Sequence, residues 1–230
     1  MYNYIQNSML VGNTVRAVDL RLPDVTWNNA KNEIDGAVEL NSMYFKIDDR
    51  DNIVLVLCQS ESKYLDFGDV IDKVGPYAFY NNDNIQQMVT LSVKSIGHSA
   101  FRSSSIKHIV LPSVTYIGEY CFASSEIVSI NAPVLKLISA GAFAFCHDLV
   151  ELDLPKVREI GANAFDYCSI KRLSVPELDA IKPATFICCY ELMELYAPKV
   201  KYVHNGAFYD CNNLSNVTYS PDVFIEESNV

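Results

Sequence analysis

Phe79, Phe101, Phe122, Phe143, Phe165, Phe186 and Phe208 recur at steps of 22, 21, 21, 22, 21 and 22 residues, and they are seven of the eleven phenylalanines in the chain. A fixed period of this size is what a stacked solenoid leaves in its sequence. A unit this short cannot bury a Phe by itself, so burial has to come from the copies above and below it. The same fact limits what the period says about function, because repeat scaffolds bind through surface positions that the repeat does not dictate.

A smaller pattern surrounds each Phe. An aliphatic pair precedes it, as in Val93 with Ile96, Val114 with Ile117 and Val157 with Ile160, and Gly often follows the second member, as at Gly75, Gly97, Gly118 and Gly161. A small residue stands immediately before the Phe, and Ile or Leu comes five or six residues after it: Ile85, Ile106, Ile127, Leu149, Ile170, Leu192 and Leu214. A six-residue gap, starting at Phe79, Phe143 and Phe186, is followed by a step of 22, and a five-residue gap by a step of 21. One loop therefore absorbs all the length variation, as expected when inward positions stack in register and turns face solvent.

The segment Leu149, Leu152, Leu154 places apolar residues at offsets 0, 3 and 5 with polar ones between, ahead of Pro155. Beyond its first residue this is the period-2 alternation of a half-buried strand. The Pro has no N–H for a ladder, so it ends the strand and turns the coil. The Gly on the opposite side suits a tight bend leading into a single helical turn. Offsets 2 and 4 then point outward, giving one row of Gln87, His108, Ser129, Glu151, Arg172, Glu194 and Asn216. Beside it runs a second row of Val89, Val110, Asn131, Asp153, Ser174, Tyr196 and Thr218. These rows vary where the inward positions do not.

The runs Ile-Gly-Ala-Asn-Ala-Phe-Asp-Tyr-Cys at 160–168 and Leu-Val-Glu-Leu-Asp-Leu-Pro at 149–155 resemble the BspA-like class of leucine-rich repeats. The resemblance covers about residues 70–221, seven units, with single departures: Ser139, Lys182 and His204 replace the Gly, Cys121 and Thr185 the small Ala, and Ser103 to Ser105 the loop Cys. It implies a leucine-rich repeat solenoid of the α/β class, strand-dominated, with parallel strands on one face. It also implies a family associated with cell-surface adhesion and protein recognition.

Residues 1–69 lack the repeat. Strand-like runs occur at Val15–Leu22, Tyr44–Ile47 and Ile53–Leu57, and the acidic stretch Asp48 to Asn52 between the last two reads as a hairpin turn. A solenoid end exposes an apolar cross-section, so this region is expected to cap it, with a small independent binding module as the alternative. Residues 70–221 form the repeats. Residues 222–230 are a C-terminal tail, with Val223, Phe224 and Ile225 available to cover the last coil.

The formal net charge is −10, split as −5 in residues 1–69 (6 basic, 11 acidic) and −5 in 70–230 (12 basic, 17 acidic). With no basic stripe, nucleic acid and anionic membrane surfaces are not the expected partners. Residues 1–15 hold no apolar run of signal-peptide length, and no stretch approaches the ~20 apolar residues of a membrane span. The expected setting is the cytoplasm or a particle, which contrasts with the export usual in the resembled family. Of the seven cysteines, Cys146, Cys168, Cys189 and Cys211 each fall three residues after a repeat Phe. They read as a packed column of small apolar residues, not a metal or disulfide framework. There is no phosphate loop, H-E-x-x-H motif or nucleophile elbow, so no catalytic residue, metal or cofactor is assigned.

The expected function is non-catalytic recognition of a protein partner through the strand face, with a structural role in a larger assembly as the alternative. The candidate partner-binding residues are His108, Glu151, Asp153, Arg172, Glu194 and Tyr196, since Tyr and Arg are enriched at binding hot spots.

Overall fold

The protein, as a computed structural model, is described over residues 37–226 except Asn41, together with the backbone of short strands between residues 4 and 21. Leu22 and the tail residues 227–230 lie outside the described residues. The chain winds as a strand-dominated parallel solenoid of about eight turns. Each turn contributes a front strand of three residues, a bend, a back strand of two residues, and a second bend that carries the Phe.

The front strands are Tyr64–Asp66, Gln87–Val89, His108–Val110, Ser129–Asn131, Glu151–Asp153, Arg172–Ser174, Glu194–Tyr196 and Asn216–Thr218. The parallel register follows the repeat: Gln87 stands opposite His108, Glu151 opposite Arg172, and Arg172 opposite Glu194. The front ladder is regular from Tyr64–Asp66 to Ser129–Asn131, and again from Glu151–Asp153 onward, with no ladder pairing between these two groups. The back ladder breaks one coil later, between Glu159–Ile160 and Ala180–Ile181. At that break Lys182 stands where other coils have Gly, and Pro183, with no N–H to give, follows it.

The Phe bend is a run of turns. No helix occurs among the described residues, so the expected helical turn is corrected. A third set of hydrogen bonds takes its place: the N–H of Phe79 donates to the carbonyl of Ala100 at 2.7 Å, Phe101 to Cys121 at 2.8 Å, and Phe143 to Ala164 at 2.8 Å. A helical turn would spend these N–H groups inside one coil. The stacked bend spends them between coils, so all three sides of the solenoid are cross-linked. The cost appears in the residues two places either side of the Phe, where left-handed φ angles recur, as at Tyr77 (57°), Asn81 (53°), Asn163 (57°) and Tyr167 (54°).

Inside, the phenylalanines stack face to face. Centroids of successive rings lie 4.6–5.5 Å apart and their planes differ by 2–9°. Phe79 through Phe165 are fully buried, Phe186 is 1 % exposed, and Phe208 in the last coil is half-buried. Upstream, Cys58 occupies the same place, because its N–H donates to Ala78 in the pattern that Phe79 makes with Ala100. The stacked register therefore extends back to Ile53–Cys58, which pairs in parallel with Lys73–Val74.

Antiparallel strands lie at this end. Met43–Ile47 pairs with Ile53–Cys58 as a hairpin across Asp48 to Asn52, and Val38–Leu40 pairs with Met43–Ile47. Asp48 closes the hairpin: its Oδ1 accepts from the N–H of Arg50 at 2.9 Å and of Asn52 at 3.0 Å, and its Oδ2 pairs with the Lys73 ammonium. The Lys73 ammonium, helped by those N–H groups and opposed by partial burial, holds the Asp48 carboxyl well below the usual carboxylate range. A carboxyl with a depressed folded pKa stabilises the fold above its unfolded value and loses that contribution as pH falls toward the folded one. Asp48→Asn should therefore lower the urea midpoint at pH 7, and the gap to wild type should narrow steadily as pH falls below about 4. A gap independent of pH would show that the turn, not the charge, carries the effect.

At the other end, Phe224–Ile225 pairs with Tyr202–Val203. Val223 packs against the core, but Phe224 and Ile225 are 58 % and 54 % exposed. No helix of the described residues is long and apolar enough to cross a membrane.

The cysteine column has a specific partner. Each thiol donates to the carbonyl of the Phe one coil before: Cys146 to Phe122 at 3.0 Å, Cys168 to Phe143 at 2.8 Å, Cys189 to Phe165 at 2.9 Å and Cys211 to Phe186 at 2.8 Å. In the first coils Asn82, Ser104 and Ser125 stand at this place, and the Asn82 amide donates to Cys58 in the same way. Burial pushes the Cys121 and Cys168 thiols well up and Cys58 up to about 12. Cys146, Cys168 and Cys189 are buried and Cys211 is only partly so. With a thiol reagent and no denaturant, Cys211 should label first and the other three only after unfolding. Rapid labelling of Cys168 in the native state would overturn that packing.

Candidate functional site

Along each front strand the middle side chain turns inward, where Met88, Ile109, Leu152, Leu173 and Leu195 are buried. Its two neighbours must then face out, because successive side chains of a strand alternate. Gln87, His108, Ser129, Glu151, Arg172, Glu194 and Asn216 are all exposed, as the alternation requires. In the second row Asn131, Asp153, Tyr196 and Thr218 are exposed, while Val89, Val110 and Ser174 are half-buried.

From Ser129 to Thr218 this face forms an open groove of about 570 Å³. Five of the six sequence-predicted residues line it together: Glu151, Asp153, Arg172, Glu194 and Tyr196. His108 does not. It lies one coil outside the groove, with its Nδ1 2.8 Å from Oγ of the lining residue Ser129. Arg172 sits at the centre of the groove, in register between Glu151 and Glu194, with its Nε 3.3 Å from Glu194 Oε2. Both side chains of that pair are about half exposed or more, so it holds Arg172 by no more than about 1 kcal/mol. A carboxylate of a partner can compete at that strength. Tyr196 is 50 % exposed and offers a rigid ring in the same groove, on the strand next to Arg172. Among the described residues no group of three or more His, Cys, Asp or Glu is placed to hold a metal ion.

A family model described as the BspA type leucine-rich repeat region matches residues 56–138 and 115–229, in six copies. The chain belongs to this family. No curated protein matches its sequence. Among solved structures it is similar to the T. pallidum leucine-rich repeat protein TpLRR, at 24% identity and TM-score 0.71, over 77% of this chain and 90% of that one. It is also similar to the pneumococcal vaccine antigen PcpA, at 16% identity and TM-score 0.56, over 81% of this chain and 71% of that one. At these identities the likeness is one of fold. In this BspA-type chain the upstream match at residue 56 agrees with the stacked register that begins at Ile53–Cys58.

The Phe bends carry a second set of exposed aromatic residues that sequence reasoning missed. Tyr77, Tyr120, Phe145, Tyr167, Tyr190 and Tyr209 are each 39–63 % exposed along this edge. Their signal in the sequence is position, two residues before a repeat Phe or one to four after it, and it becomes readable only once the left-handed bend is known.

Proposed function

We propose that this BspA-type chain is a non-catalytic recognition scaffold that binds a protein partner through its strand face. The observation that carries the reading is the groove. Five variable, solvent-facing side chains converge there on front strands that stay in register from Glu151 to Thr218, and the central Arg172 is only weakly held by its own chain. A uniform scaffold with variable outward residues is how solenoids generate specific surfaces. An exposed Tyr and an available Arg in one groove match the composition of a hot spot.

A pull-down from the native source, with and without the double change Arg172→Ala and Tyr196→Ala, supplies the partner and the test. The double variant should bind at least about tenfold more weakly while its urea midpoint is unchanged, since both residues are exposed. Equal capture by the two forms would place recognition elsewhere on the molecule.

A further inference from the structure

The Phe-bend edge of the last four repeats differs from that of the first three in two independent ways. At the second residue after the Phe, the early coils place Asn81, Ser103 and Ser124, while the next two place Phe145 and Tyr167. All five positions are left-handed, with φ between 53° and 61°. Asn tolerates that conformation, but for a bulky aromatic it is unfavourable by roughly 1–2 kcal/mol. Phe145 and Tyr167 nevertheless sit there, 44 % and 39 % exposed, stacked 5.3 Å apart, and Tyr190 meets Tyr167 edge-on at 6.0 Å. Side chains that contribute little to the core are held at a sterically costly place, a pattern that points to function.

The second difference is charge. Between the Phe and the following aliphatic, these four coils carry Asp148, Asp166, Glu191 and Asp210 and no Lys or Arg, a formal charge of −4, whereas the first three carry Asp83, Arg102 and Glu126, a formal charge of −1. None of the four appears in an ion pair among the described residues, whereas Asp48, Glu126, Glu159, Glu177 and Glu194 are each paired with Lys or Arg. The Oδ1 atom of Asp166 is buried without a hydrogen-bond donor. In the early coils Arg102 lies over the Tyr120 ring at 5.7 Å, and Glu126 is paired with Lys107. The late coils present the rings and the carboxylates without such a cation.

We propose that this edge is a second docking surface, which takes an extended, arginine-bearing segment of a partner protein. Arginine is the complement because its guanidinium stacks on aromatic faces while its N–H fork pairs with carboxylates. A second copy of this chain is disfavoured as occupant, since it would bring four like charges against four. Four stacked coils at ~4.8 Å span about 15 Å, the reach of an extended segment of about five residues, with arginines on alternate positions facing the edge.

The test is fluorescence anisotropy at physiological salt with a labelled short peptide alternating glycine and arginine, beside the same peptide with lysine. The arginine peptide should bind at least about tenfold tighter, because a lysine shares the charge but not the stacking fork. Tyr167→Ser with Tyr190→Ser should abolish that preference, and Asp210→Asn, at an exposed position, should weaken both peptides severalfold. The strand-face change Arg172→Ala with Tyr196→Ala should leave arginine-peptide binding unaltered, which separates this surface from the groove. Equal affinity for the two peptides, loss of binding on the strand-face change alone, or concentration-dependent self-association removed by the tyrosine changes would each overturn the proposal. If the double tyrosine variant does not fold, the lysine comparison and Asp210→Asn still decide it.

Discussion

Phe143→Ala should cost about 3–5 kcal/mol, the largest loss expected of any single truncation in the chain. Phe143 is fully buried, and its ring is stacked on both faces, 5.2 Å from Phe122 and 5.4 Å from Phe165. Its removal leaves a cavity between two coils. The coils cannot close over it, because Phe143 N–H and the Ala164 carbonyl, with the flanking bonds of Phe145 and Gly141, fix their spacing. A solenoid has no other route between its halves, so a defect in a middle coil uncouples both sides. Phe208→Ala provides the comparison within the same column. That ring is half-buried and stacked on one face only, 5.3 Å from Phe186, so its loss should be clearly smaller. Urea unfolding of both variants tests the ladder. Equal losses, or a Phe143 loss below about 1 kcal/mol, would mean that the rings do not act as a continuous core.

The Phe period was enough to place the core, because a residue that must be buried at every turn cannot drift out of register. Period-2 alternation likewise placed Glu151, Arg172 and Glu194 outward, with Leu152, Leu173 and Leu195 inward. Two features escaped for physical reasons. Cys58 takes the place of Phe in the first stacked coil, so the register upstream of residue 70 left no aromatic mark. The bend was expected to be helical, and it is a run of turns with left-handed residues two places either side of the Phe, most of whose side chains, though not Ser99 or Cys188, reach solvent. Tyr77, at one such position, is 44 % exposed and meets His98 and Tyr80 on the outside. Hydropathy patterns report alternation within strands and helices, and they carry no term for the sign of φ in a turn.

The groove was legible only as two rows of positions. Which of those positions share the groove depends on how the coils stack, since the groove runs from Ser129 to Thr218 across the break in the front ladder. That break does not bound the groove: Ser129 and Ile130, on the same side as His108, line it, and His108 lies one coil outside. No local pattern in the sequence announces the break, since the repeat step across it is an ordinary 22 residues from Ser129 to Glu151.

Backbone spacing makes a second demand on stability, and two glycines separate it from conformational strain. A Cβ added at Gly161 would lie 2.3 Å from the backbone nitrogen of Ala140 and 2.6 Å from the carbonyl carbon of Ser139, in the coil below. Neither atom can yield unless the coil moves, and the Gly161 N–H is itself bonded to Ile138 at 2.8 Å. Gly206 poses the opposite problem: its φ is +68°, but an added Cβ would meet nothing within 4 Å. Gly161→Ala should therefore cost about 2–3 kcal/mol through overpacking. Gly206→Ala should cost about 1 kcal/mol or less, since left-handed strain is partly offset by the lower entropy of the unfolded chain. Ser139 and His204 show that the Gly161 position can take a side chain where the whole coil is set for it, so the loss reflects the local stack and not a universal ban. Urea midpoints of the two variants, compared at unchanged m, decide the matter. If Gly206→Ala proves the more damaging, turn strain and not coil-to-coil contact sets the spacing of the solenoid.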